Sequence, residues 1–201
     1  MAGEGGGGAG ELRLVLASAS PQRRTILGRL GVEFTVRAPE VEELSSGDPE
    51  LVTLENAGRK ARAVYRAGAG ERVIGCDTVV VLEDAIYGKP ADELQARRTL
   101  ETLSGTTHEV VSGLVVLSDG GSSGELQERR ALARTEVTFA RIGAARLDWY
   151  LATGEWRGRA GGYAIQGAGA ALVRAVSGDY ENVVGLPLAS LLELCPDLLP
   201  G

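Results

Sequence analysis

The sequence predicts an α/β fold built on a mixed, twisted sheet with flanking helices, and three observations carry that reading. Short apolar β-type runs alternate with segments of helical spacing through the first half of the chain. Two long β-type runs then follow one another at 108–117 and 127–139, separated by Gly, Ser and Asp, which reads as a hairpin and makes the sheet mixed. No linker and no internal repeat divides the chain, so 11–201 reads as one domain, long enough to bury a substantial core.

Residues 1–10, MAGEGGGGAG, are almost all Gly and Ala. They cannot bury enough surface to offset their ordering entropy and are expected to form a disordered tail. The run 12–17 is the first strand. Pro21 then opens a helix to Leu30, because its missing amide proton costs little in a first turn, with Ser20 as the cap and Gly31 as the stop. A second strand is expected at 33–38, followed by a polar loop at 39–49 carrying Glu40, Glu42, Glu43 and Asp48. From Glu50, Leu51, Leu54, Ala57, Ala61 and Val64 fall on one helical face, with Lys60 at its edge, and Gly68-Ala69-Gly70 ends the helix.

The runs 72–76 and 78–82 are β-branched and apolar, with Asp77 set between them. Glu83-Asp84-Ala85 is a turn, and 86–90 leads into a helix at 92–103 capped by Asp92. After the hairpin, with its loop at 118–124, come a helix at 144–153, a Gly-rich segment at 154–169 and a strand at 171–176. A turn at Ser177-Gly178-Asp179 and a final helix at 186–194 complete the chain.

Acidic residues outnumber basic ones, 27 to 21, for a net charge of −6. That balance argues against a nucleic-acid partner, which needs a basic face, but leaves room for a local basic pocket. Cys76 and Cys195 match no zinc or thioredoxin spacing, so both are expected to be buried free thiols in a reducing cytosol. No run reaches the length of a membrane span and the N-terminus lacks a signal-peptide pattern, so the expected protein is soluble and cytoplasmic, with no membrane partner.

Several residues could carry chemistry. In Ser18-Ala19-Ser20-Pro21-Gln22-Arg23-Arg24, hydroxyls, helix N-terminal amides and two arginines would make a polyphosphate cradle. Taken alone, the same stretch reads as an ordinary strand-to-helix turn capped by Ser20. Asp77 interrupts an apolar run, where a carboxylate must be desolvated or meet a partner; a turn aspartate is the competing account. Lys89 is kept extended by Pro90, so its amine is held in place, although surface lysines in turns are common. Glu42 and Glu43 would supply metal oxygens or simply be solvated. In 157–167, arginines among glycines suit close approach to an anion, and Gln166 offers a donor and an acceptor that suit the edge of a pyrimidine. His108, the only histidine, heads a strand and reads as structural, against any mechanism that needs a histidine base.

Seven short motifs in order resemble the Maf family of nucleoside triphosphate pyrophosphatases over about 14–194: LASASP at 16–21, RKARA at 59–63, GCDT at 75–78, GKP at 88–90, LSG at 103–105, RAGGYAIQG at 159–167 and NVVGLPL at 182–188. The resemblance implies an α/β fold of the Maf or inosine-triphosphatase-like kind, with two lobes around a cleft and often a homodimer. It implies hydrolysis of a nucleoside triphosphate to the monophosphate and pyrophosphate with Mg²⁺ or Mn²⁺. It puts Ser18 and Arg23 on a phosphate-binding turn and Glu43, Lys60, Asp77 and Lys89 on catalytic positions. Asp77 would be the proton acceptor and, with Glu43, a metal ligand.

Thr78 and Gln166 fit the subgroup that prefers dTTP and UTP, with modified pyrimidine nucleotides as further substrates. Gln22 stands where that subgroup usually has arginine, and Arg159 where lysine is usual. The other readings are 7-methyl-GTP as substrate, and a nucleotide-binding regulator of septum formation with little turnover.

Overall fold

In the computed structural model, residues 13–120 and 125–199 are described; the expected tail at 1–10 and the tip of the hairpin loop at 121–124 lie outside them. The strands are β1 (Arg13–Ala17), β2 (Phe34–Val36), β3 (Glu71–Leu82), β4 (Ala85–Tyr87), β5 (Thr107–Gly120), β6 (Glu125–Phe139) and β7 (Val173–Ser177). They form one mixed sheet in the order β2-β1-β3-β5-β6-β7, with β4 paired to β3. β1 runs parallel to β2 and β3, while β3, β5, β6 and β7 pair antiparallel in succession.

The helices are α1 (Pro21–Gly28), α2 (Pro49–Val64), α3 (Glu93–Leu103), α4 (Ala144–Ala152), α5 (Tyr180–Val184) and α6 (Leu188–Leu194). Alternation along β1 and β3 sends Val15, Ala17 and Val73 beneath α2, and Leu14, Leu16, Ile74 and Cys76 to the opposite face under α1 and α6. A separate cluster around Leu100, Leu103, Phe139, Tyr150 and Trp156 makes the second lobe, with α3 and α4.

Helix α2 buries Ala57 and Ala61 as expected, but its buried face is wider on one side and leaves Leu51 out. Leu51 is 68% exposed, whereas Val52, Asn56, Ala57, Lys60 and Ala61 are buried. The cause lies in the sheet. A Cβ on Gly75 of β3 would collide with the Ala57 carbonyl, and one on Gly113 of β5 with the Thr53 backbone. These two glycines let α2 lie flush on β3 and β5, which turns its polar edge residues inward over the sheet.

Asp77 does not break the strand: β3 runs unbroken through it, paired to Gly113. The segment after Leu82 forms β4, because Glu83 and Asp84 take left-handed φ values of 50° and 63° and close a tight hairpin. β5 extends to Gly120, beyond the expected loop boundary, because the ladder with β6 continues to Glu125. β7 starts at Val173, after a 3₁₀ turn at Ala168–Leu172. The expected helix at 186–194 is α6 alone, and Gly185, with φ 129°, separates it from α5.

Candidate active site

The turn between β1 and α1 is built from its hydroxyls. Ser20 caps the helix by accepting from the Arg23 amide, and its own amide donates to Ser18 Oγ at 3.1 Å. Arg23 crosses from α1 toward β3: its Nε donates to the Gly185 carbonyl at 2.7 Å, its Nη1 to Ser18 Oγ at 3.4 Å and its Nη2 to Thr78 Oγ1 at 3.1 Å. Thr78 in turn shares a 2.8 Å hydrogen bond with the buried Ser112 on β5. The guanidinium is therefore held by backbone and hydroxyl oxygens rather than by a carboxylate, and keeps its full charge for an anion.

Asp77 sits beside this turn under α2. Lys60 Nζ lies 2.6 Å from Asp77 Oδ1 and 3.0 Å from Glu43 Oε1, and Asn56 Nδ2 donates to Asp77 Oδ2 at 2.9 Å. Lys60 and Asp77 are both buried, so the lysine expected at the edge of a helix face lies inside the protein. The loop before α2 presents the Glu43 carboxylate to Lys60, while Glu42 offers its backbone carbonyl to Arg59 at 3.1 Å. The two neighbouring glutamates thus separate into one that faces the cleft and one that does not. Among the described residues no group of three His, Cys, Asp or Glu gathers as a metal centre. Asp77 and Glu43 are nevertheless two carboxylates on one cleft, and Mg²⁺ commonly takes one or two carboxylates together with substrate phosphates and water.

The far wall comes from the second lobe. Gly161 and Gly162 have φ values of 65° and 70°, and a Cβ on Gly161 would stand 2.7 Å from Val80. Only glycine admits this close, left-handed path. The Gly161 amide donates to the Gly88 carbonyl at 3.1 Å, which docks the 157–167 segment against Lys89. Neither Lys89 nor Arg159 forms an ion pair among the described residues.

Nine of the residues singled out from the sequence line one cleft of about 320 Å³ between the lobes: Ser18, Gln22, Arg23, Glu43, Lys60, Asp77, Thr78, Lys89 and Gln166; Arg24 and Glu42 do not. A family model described as "Maf-like protein" matches residues 13–198. The chain belongs to the Maf family.

Among its relatives, the "dTTP/UTP pyrophosphatase" of Anaeromyxobacter dehalogenans (strain 2CP-C) is 48% identical over 184 residues, covering 90% of this chain and 92% of the relative. The protein of the same name from Deinococcus radiodurans is 43% identical over 183 residues, covering 90% and 91%. That from Pyrococcus abyssi is 38% identical over 182 residues, covering 90% and 94%.

In this Maf chain Gln166 faces the cleft from the glycine-rich segment, with its side-chain amide bound to nothing among the described residues. Gln22 accepts from Ser20 Oγ at 3.1 Å and lies on the same wall as Arg23. Apolar surface from Val80, Val110, Val183 and Val184 completes the pocket. His108 stands behind it, buried, with Nε2 3.0 Å from the Tyr163 hydroxyl. Desolvation lowers its pKa to about 4, and burial pushes the Tyr163 phenol up. Its structural reading holds: a buried neutral imidazole supports Tyr163, whose own chain segment forms the wall. Cys76 and Cys195 are both buried free thiols, as expected. Among the described residues no helix is long and apolar enough to cross a membrane.

Asn56 and Ser112 escaped the sequence reading. Asn56 precedes Lys60 by one helical turn, so the i, i+4 spacing was a usable signal for it. Ser112 reaches Thr78 across a strand pair, and no local pattern marks that contact.

Proposed function

We propose that this Maf protein hydrolyses dTTP and UTP to the nucleoside monophosphate and pyrophosphate. The observation that carries the reading is the convergence of Arg23, Lys60, Lys89, Asp77, Glu43 and Gln166, from six separate chain segments, on one cleft. The name shared by relatives that match about nine-tenths of the chain supports the choice of substrate.

The chemistry follows from what each side chain can do. Arg23, Lys89 and Arg159 bind the triphosphate, and neutralise the charge that builds on the pyrophosphate leaving group. Asp77 takes the proton of the water that attacks the α-phosphorus. Lys60 fixes the direction of Asp77 through one carboxylate oxygen, and the second oxygen of Asp77 is fixed by Asn56. Asp77 and Glu43 would hold a Mg²⁺ or Mn²⁺ ion, which when bound supplies further charge neutralisation to the phosphates. Gln166 presents a donor and an acceptor to the edge of the base, and the valine surface excludes water from its face.

The test is pyrophosphate release from dTTP, UTP, CTP, GTP and 7-methyl-GTP with Mg²⁺ and with Mn²⁺. Selective turnover of dTTP and UTP is expected. Turnover of 7-methyl-GTP alone would overturn the substrate, and turnover of none would overturn the activity.

A further inference from the structure

Three successive loop residues are bound to three side chains of one helix. The Glu42 carbonyl accepts from Arg59 at 3.1 Å, the Glu43 carboxylate meets Lys60 at 3.0 Å, and Leu44 is held at both of its backbone groups by Asn56. The Leu44 amide donates to Asn56 Oδ1 at 2.8 Å, and Asn56 Nδ2 donates to the Leu44 carbonyl at 2.9 Å. The other proton of the same Nδ2 goes to Asp77 Oδ2 at 2.9 Å. Asn56 is 1% exposed, its bond to Asp77 is buried, and its two bonds to Leu44 are part-buried.

The amide can sit only one way round. Its nitrogen faces a carbonyl and a carboxylate, both acceptors, and its oxygen faces an N–H; a flipped amide would set oxygen against two oxygens. One side chain thereby bridges the catalytic strand β3 and an otherwise irregular loop. We propose that Asn56 is a positioning residue: it ties the loop bearing Glu43 to Asp77 and so sets the spacing of the two cleft carboxylates. The proposal rests on the pyrophosphatase reading for its effect on rate, but the tie itself is a property of the folded chain.

The substitution Asn56→Leu keeps the bulk and removes all three bonds. The expected result is a fall in kcat of about 10- to 100-fold, the range for lost supports of this kind. KM for dTTP should stay within about threefold, because Arg23, Lys89 and Gln166 do not touch Asn56. Amide exchange, followed without nucleotide, should speed up across 39–47. A lower melting temperature with unchanged kcat would overturn the proposal, because Asn56 would then serve the fold alone.

If Asn56→Leu does not fold, the unsubstituted chain decides. The Leu44 amide must exchange as slowly as the buried amides of α2, and exchange at the rate of a solvated loop overturns the tie. If the unsubstituted chain turns over no nucleotide, the pyrophosphatase reading falls, while the exchange result still judges the tie.

Discussion

Lys60 Nζ lies 2.6 Å from Asp77 Oδ1, and both side chains are more than nine-tenths buried. A pair this desolvated is expensive to split, because removal of one partner leaves the other charge in a poor solvent. Lys60→Met should therefore destabilise the protein by about 3–5 kcal/mol as well as abolish turnover. Urea denaturation checks the first effect and pyrophosphate release the second. A stable Lys60→Met protein with normal turnover would place the ammonium outside the mechanism.

The seat of α2 depends on two glycines. Gly113→Ala would drive a methyl group into the Thr53 backbone, and backbone cannot rotate away as a flexible side chain can. A loss of about 1–3 kcal/mol is expected, as for other overpacked sites. Turnover should fall with it, since Asn56 and Lys60 move with the helix. Unchanged urea midpoint and rate would show that α2 has more freedom than its contacts imply.

His108 gives stability a dependence on pH that can be separated from the active site. Well above pH 6.5 the ring is neutral in both the folded and the unfolded chain and contributes no slope. Between 6.5 and about 4 the unfolded chain takes up a proton that the buried ring refuses, so stability falls as pH falls. The slope from this ring reaches at most about 1.4 kcal/mol per pH unit and ends below the folded value. His108→Phe should flatten that window, read as the difference in urea midpoint between pH 7.5 and pH 5. Equal losses in both proteins would contradict a buried neutral imidazole.

Gln166 carries the expectation for base selection. Gln166→Ala should lower kcat/KM for dTTP and UTP by about tenfold or more, since a lost base contact costs on the order of 1–2 kcal/mol. Activity on other triphosphates should change little. An equal loss on every triphosphate would assign Gln166 to the phosphates instead.

The sequence carried the sheet and most of the site, because those signals are local. Alternation and glycine breaks mark strands, and short motifs such as GCDT at 75–78 and GKP at 88–90 hold their chemistry within a few residues. Depth and direction were not legible. Whether Lys60 was wet or buried depended on Gly75 and Gly113, which meet α2 only in the folded chain. Glu43 was separated from Glu42 by bonds to Arg59, Lys60 and Asn56, on a helix that begins beyond the loop. Helix α5 has only five residues, too few for a periodic pattern, yet it leads into Gly185, whose carbonyl anchors Arg23.

The central claim is attack of water on the α-phosphorus with Asp77 as the proton acceptor. It is tested most directly by hydrolysis of dTTP in ¹⁸O-labelled water, with Asp77→Asn alongside. The account predicts that the label enters dTMP, that pyrophosphate carries none, and that the substituted protein binds dTTP but releases no product. Label in pyrophosphate, orthophosphate as the product, or full turnover by Asp77→Asn would contradict it.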